Sequence, residues 1–453
     1  MGNLLTSLLN STNALNVYGQ ALQVVSNNVT NATTPGYVKQ TLNLEALPFD
    51  VTVGLPGGVA VGSIQSSRNA FAEQSVRDQQ SNLGYFQQKA TALGTIENQF
   101  DLTGKTGVAG SLNALFQSFS QLSVSPNDAA ARQNVINQAG QVAQSFRHTS
   151  ASLAATGRQT ADDTKYVVTQ VNRLAATISK INGQHLKDFT GNTDAGLDAQ
   201  LHASLEELSQ YVNFSALQQP DGSVTVYVGG QTPIVQGDQS LAIQGDFSGP
   251  QAAILDKQGQ DITSQITGGQ LSGLLDVQNN KIPSYIDDLN TLAAGVADQV
   301  NTALAAGIDQ NGAAPVADLF TYDPLHGAAQ TLGVNHLTPD QIAAALPGAT
   351  GGNGNALNLS ALGTAKPVGG YTFIQFYGNL AGRAGQDIAD ARYGKDSQTQ
   401  LLQQAQNLRS QTSSVNLDEE AAKLIQFQRS YQAAAKLVTV LDQLTQTAIN
   451  IIP

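Results

Sequence analysis

The first 38 residues contain no Asp, Glu, Lys, Arg or His, and Lys39 is the first charge of any kind. Within that neutral stretch Leu4, Leu8, Leu15, Tyr18, Leu22, Val25 and Val29 recur close to every 3.5 residues, the spacing of a helix face that runs along a partner helix. The stripe stops at Thr33-Thr34-Pro35-Gly36. Proline disfavours helix in the residue before it, and glycine permits the turn that follows.

The other end repeats the pattern with Leu417, Ala421, Leu424, Phe427, Tyr431, Ala434, Val438, Leu441, Leu444, Ala448 and Ile451. Asn416 reads as its N-cap with Glu419 three residues on, and Asp418 and Glu420 add negative charge where the helix dipole favours it. Matching stripes at opposite ends predict a chain that runs out and returns, with its terminal helices paired side by side. The faces opposite the stripes are uncharged at the N-terminus and nearly so at the C-terminus. Over the whole chain charged residues are 12%, about half of the usual ~25%. Faces of that kind suit packing on several sides, so both ends are expected to order only when neighbouring subunits bury them.

Several classes drop out. The net charge is -12 with no Lys/Arg block, which leaves no footprint for nucleic acid or an anionic membrane. Cysteine is absent, excluding disulfides, thiol nucleophiles and cysteine metal sites. No run of 18 apolar residues suggests a membrane span, and the neutral start does not resemble a cleaved secretory signal, so any export takes another route.

The 453 residues are enough for about three domains. Helical spacing returns from Phe71 through Val76, Leu83, Phe86 and Leu93, again over 108–122, along 128–182 as one helix or two broken near Gly157, and over 197–212. The period becomes two at Ser223-Val224-Thr225-Val226-Tyr227-Val228 behind the turn signal Pro220-Asp221-Gly222. Helix resumes over 274–304, residues 307–370 read as loop, and a polar helix spans 372–409. The expected fold is mainly α with an inserted β-rich module, an elongated long-helix bundle with paired N- and C-terminal coiled-coil-like helices. Its expected domains are 1–40 with 413–453 as a terminal helical domain, 41–210 with 271–412 as a helical bundle, and 211–270 as a small β-rich outer module.

Catalytic patterns are missing. Gly104-Lys105-Thr106 ends like a phosphate-binding loop, but Gln99 stands where that motif needs glycine. His148, His185, His202, His326 and His336 form no zinc spacing, and the loop hinted at by Asp309, Asn311 and Gly312 lacks the glycine a calcium loop needs at its sixth position. Asp162-Asp163 and Asp287-Asp288 are adjacent pairs that solvation explains. Neither a cofactor nor a metal is expected, and a non-enzymatic role follows.

Two long runs resemble the flagellar axial protein family, which builds rod, hook and hook-filament junction. SNNVTNATTPGYVKQ at 26–40 holds Asn27, Asn28, Asn31, Thr34, Pro35, Gly36 and Tyr37, and SSVNLDEEAAKLIQFQRSYQAAAKLV at 413–438 holds Asn416, Asp418, Glu419 and Glu420. ELSQYVNFSALQQPDGSVTVYV at 207–228, GGQLSGLLD at 268–276 and IDQNGAAPVADLF at 308–320 follow in the family's order and are most similar to its junction members. The ending LDQLTQTAINIIP departs from the family's acidic-Leu-Phe type, and no large outer domain is evident.

The resemblance implies a structural subunit at the hook-filament junction, assembled with copies of itself into a helical tube whose inner wall is the paired terminal helices. It implies the hook protein and a second junction protein (hook-associated protein 3) as neighbours, and an export chaperone bound through the C-terminal region. It also implies passage to the cell exterior by the flagellar type III route without a cleaved signal. The alternatives are a distal rod or hook component, or a secreted ligand-binding protein or enzyme using the 211–270 module.

Overall fold

The computed structural model describes residues 2–50, 55–100, 105–187 and 194–451, with the side chains of 2–3, 50, 55–56 and 451 outside the description. Gly104 and the side chain of Ile451 therefore lie outside the described residues. In chain order, α1 (Gly2–Thr30) leads into β1 (Gln40–Ala46), β2 (Phe49–Asp50), β3 (Leu55–Pro56) and β4 (Val59–Ser66). Helices α2 (Ala70–Gly94), α3 (Gly107–Val124), α4 (Ala129–His185) and α5 (Ala195–Tyr211) follow. Next come β5 (Phe214–Gln218), β6 (Val224–Val228), β7 (Thr232–Gln236), β8 (Gln239–Ser240), β9 (Gln244–Asp246) and β10 (Ala253–Leu255). Then α6 (Gly269–Asp276) and α7 (Ile282–Ala305) precede β11 (Phe320–Thr321), α8 (Ala328–Thr331), β12 (Gly333–Val334) and α9 (Gly354–Ala361), before α10 (Phe373–Ser413) and α11 (Leu417–Ile451).

The expected class holds: the chain is mainly α, its two ends are long helices, and strands are inserted in the middle. Helix α4 is continuous over 57 residues, with no break at Gly157. Two features depart from the sequence reading. Within 41–210, expected as part of a helical bundle, β1 and β4 instead pair antiparallel, with a bulge between Leu42 and Leu44. That bulge disrupts the period-two pattern by which a strand is read. The 274–304 helix is really α6 and α7 joined by a π turn at Val277–Lys281.

The chain divides into two compact units, residues 1–80, 172–242 and 398–453 in one and 81–171 with 243–397 in the other. In the first, β5, β6, β7 and β8 form an antiparallel sheet in that order, so the expected module of 211–270 contributes residues to both units. Val224, Val226 and Val228 alternate on one face of β6 and are buried, as a half-covered strand requires. Asn182, fully buried near the end of α4, bonds both the N–H and the carbonyl of Val224 and the Gly237 carbonyl, closing backbone groups that burial would otherwise leave unpaired.

The second unit is built around an apolar core that includes Leu112, Phe119 and Phe146 with Leu289, Val296 and Phe373. Arg132 is buried within this unit and donates to the carbonyls of Pro126 at 2.7 Å and Ile342 at 2.5 Å, which serve in place of a carboxylate partner. The GGQLSGLLD run starts α6. A Cβ at Gly273 would stand 2.5 Å from the Tyr85 carbonyl oxygen, so only glycine admits that approach of α2. Asp276 then takes Lys89 at 2.7 Å and the Tyr85 hydroxyl at 3.0 Å.

Candidate assembly interface

Helix α1 lies against α11 in the first unit. A Cβ at Gly19 would touch the Tyr431 ring at 4.0 Å, and Asn28 meets Glu420, so the residue numbers run in opposite directions and the pair is antiparallel. On α1 the buried positions are Val17, Ala21, Val25 and Asn28. On α11 Ala434 and Glu420 are buried, with Leu424, Phe427, Val438 and Leu441 half-buried.

The pairing face of α1 is thus turned by about one residue from the expected stripe. Val25 is shared by both faces, while Leu4, Leu8, Leu15, Tyr18 and Leu22 are only half-buried and Val29 is 42% exposed. The physical reason is size: Val17 and Ala21 let the helix backbones approach closely, whereas Tyr18 and Leu22 are too large for the centre of the contact. On α11, Leu417, Tyr431 and Leu444 are likewise exposed, and Ile425, Leu437, Val440 and Ile449 add to an apolar surface that the pairing leaves uncovered.

The Asn-rich turn and the start of α11 form one hydrogen-bonded clasp. Asn28 Nδ2 donates to the Gln40 carbonyl at 2.8 Å and to Glu420 Oε2 at 2.9 Å. Its Oδ1 accepts from the Tyr37 hydroxyl and from the Gln40 N–H, both at 2.9 Å. All four capacities of the amide are used. Glu420 is fully buried, and its other oxygen accepts from Lys423 at 2.9 Å. Burial, and secondarily the Glu420 charge, push the Tyr37 hydroxyl above the ordinary tyrosine range.

Around the clasp, Lys39 pairs with Glu419 at 2.8 Å, and that bond holds the Glu419 carboxyl below its usual range and Lys39 above its own. Asn416 caps α11 as its sequence suggests, accepting from the N–H groups of Asp418 at 3.0 Å and Glu419 at 3.3 Å. The remaining motif residues shape the turn. The Asn27 carbonyl accepts from Asn31 Nδ2, Asn31 Oδ1 accepts from the Thr34 hydroxyl, and exposed Pro35 leads into Gly36. Gly36 has φ +76°, and a Cβ there would overlap the Ala199 carbonyl oxygen and stand 3.0 Å from the Ala203 nitrogen.

The Gly36 carbonyl also accepts from Arg68 Nη2 at 2.7 Å, which opens a network that sequence reading missed. Arg68 bonds Asp198 at 2.7 Å and Glu73 at 2.9 Å, while Arg409 reaches Glu206 at 2.6 Å and Glu73 at 3.3 Å. His202 sits beside these groups, and burial together with the charges of Arg68, Arg77 and Arg409 lowers its pKa from 6.5 to about 3. The unfolded chain therefore binds a proton between those values that the folded chain refuses. Stability is lost as pH falls through this window, by up to ~1.4 kcal/mol per pH unit. Urea unfolding at pH 7 and pH 4.5 is expected to show a smaller acid loss for His202→Gln than for the parent chain; equal losses would contradict the account.

Among the described residues, no group of three or more His, Asp or Glu side chains could hold a metal, and no helix is long and apolar enough to cross a membrane.

Residues 93–320 match the model of the flagellar hook-associated protein FlgK helical domain. The chain belongs to the FlgK family. Residues 398–451 of this FlgK-family chain also match the C-terminal model of the flagellar basal body rod FlgEFG proteins, so this end is alike across rod and junction proteins. Flagellar hook-associated protein 1 of Bacillus subtilis is 28% identical over 494 residues, covering 96% of each chain. The Escherichia coli protein of the same name is 23% identical over 550 residues, covering 99% of this chain and all of that one. The structure of the flagellar hook junction protein FlgK from Burkholderia pseudomallei shares the fold, with TM-score 0.68 at 14% identity over 75% of this chain and 99% of that one.

Proposed function

We infer that this chain is a structural, non-enzymatic subunit of the bacterial flagellum that joins hook to filament. The match across 93–320 to the FlgK helical domain carries this reading over the rod and hook alternatives, because the C-terminal match alone does not separate those classes. In this reading 1–40 with 413–453 line an inner tube made with other copies of the chain. The rest of 41–412 forms the helical bundle, with 211–270 facing outward. The neighbours are the hook protein on one side and hook-associated protein 3 on the other. The chain leaves the cell by the flagellar type III route without a cleaved signal, escorted by a chaperone on its C-terminal region.

Support for the packing role comes from what α1 and α11 leave uncovered. Leu417 and Leu444 on α11, with Val29 on α1, expose large apolar side chains that the intramolecular pair does not use, and Tyr431 stays 41% exposed beside Gly19. Leu4, Leu8, Leu15, Tyr18, Leu22, Leu424, Phe427, Val438 and Leu441 are covered only in part, and the same assignment extends to Val25 and Ile451. Of the family motif residues, Asn28 and Glu420 bond the two helices to each other at one end.

Leu444→Asp places a charge on this exposed face without touching the core of either unit. The variant is expected to melt with the parent chain, since surface changes usually stay within ~0.5 kcal/mol. In cells lacking the parent gene it is expected to leave hooks without filaments. Normal filaments would contradict assembly through this face.

A further inference from the structure

We propose that the first unit holds a binding site for a small uncharged molecule with an apolar body and a hydroxyl group, in the cavity formed by α2, α5 and the β5–β6 edge of its sheet. The site goes beyond the junction role and does not depend on it.

The cavity measures about 380 Å³, within the ~300–1,000 Å³ range of small-molecule sites. All of its lining comes from the first unit. Ala195, Asp198, His202 and Leu205 recur at helical spacing on α5, and Ala70, Glu73 and Arg77 do so on α2, so each helix turns one face to the cavity. Ala216 and Gln218 share one face of β5, and Val224 on β6 pairs with Gln218. Ala70, Ala195 and Ala216 are small side chains at positions where larger ones would close the space.

The charges of the wall fix the class of ligand. Two guanidiniums, Arg68 and Arg77, stand with two carboxylates, Glu73 and Asp198, and Arg68 already holds both acids. Behind them Arg409 and Glu206 form a further pair. A ligand carboxylate would meet Glu73 and Asp198, and an ammonium would meet Arg68 and Arg77. Either ion would give up its water for a wall whose charges already cancel. An uncharged molecule avoids that cost.

Two polar atoms of these side chains have no hydrogen-bond partner among the described residues, Arg77 Nε and His202 Nδ1. Arg77 Nε is a donor. His202 Nε2 faces Asp198 at 3.6 Å, which assigns the ring proton to Nε2 and leaves Nδ1 an acceptor. A hydroxyl group serves either atom, whereas a carboxylate only accepts and an ammonium only donates. Both atoms are themselves buried, so the contact requires a small rotation of the imidazole or the Arg77 side chain.

The test uses the full chain with ¹⁵N-labelled histidine and three probes of one shape, benzyl alcohol, benzoate and benzylammonium, titrated by ligand-detected NMR. Benzyl alcohol is expected to bind saturably at one site, roughly tenfold or more tighter than either ion. The ring-nitrogen resonance lost in His202→Phe should move as it binds. Ala216→Phe fills one wall and should lose binding while keeping the circular dichroism spectrum. His202→Phe keeps a ring in place and should bind benzyl alcohol no better than toluene. No saturable binding of any probe, with water as the sole occupant, overturns the site. Tighter binding of benzoate or benzylammonium overturns the ligand class, and unchanged binding to folded Ala216→Phe or a His202 resonance that stays still overturns the location. Should Ala216→Phe fail to fold, the order of the three probes and the His202 response on the parent chain decide.

Discussion

Ala434→Pro is expected to abolish filament attachment while the second compact unit stays folded. Ala434 is buried against α1 in the middle of α11, the contact on which the terminal pair depends. Proline there removes one hydrogen bond to the preceding turn and drives its ring into the carbonyl four residues back, costing the helix about 3 kcal/mol or more. The helix would kink or end near residue 430, and Val438, Leu441 and Leu444 would no longer follow one face. Circular dichroism should report a modest loss of helix, and limited proteolysis should leave a protected centre with cleavable ends. Electron microscopy of complemented cells should show hooks without filaments, and normal filaments on these cells would refute the importance given to the pair.

Gly36→Ala acts on the root of the same structure and should be nearly as severe. A φ of +76° strains any residue with a Cβ, and here the added carbon would also overlap the Ala199 carbonyl on α5. Relief requires the turn to move away from α5, which withdraws the Gly36 carbonyl from Arg68 and disturbs the bonds of that arginine to Glu73 and Asp198. Strain and lost contacts together should cost about 3 kcal/mol. Urea denaturation checks this, and a loss below about 1 kcal/mol would show that the turn has room.

What the sequence disclosed depended on how local each signal was. Asn416 announces the start of α11 because an N-cap acts within three residues, and the structure places its oxygen on the Asp418 and Glu419 N–H groups. The stripe on α1 was legible as a helix but misplaced in phase, because large side chains marked the face while Val17 and Ala21 made the contact. Glu420 reads as one of three acids favouring a helix start, and nothing local distinguishes it from Asp418 or Glu419. Its burial follows from Asn28, which lies 392 residues away in the chain. The Arg68, Glu73, Asp198, Glu206 and Arg409 network was invisible for the same reason, since each partner looks like an ordinary solvated charge until the fold assembles them.

The measurement that bears most directly on the junction role is electron microscopy of cells lacking this gene, with the culture medium assayed for flagellin. The account predicts complete hooks, no filaments and unpolymerised flagellin in the medium, all reversed by the intact gene. Missing hooks would assign the chain to the rod or hook instead, and normal filaments would contradict a structural role at the junction.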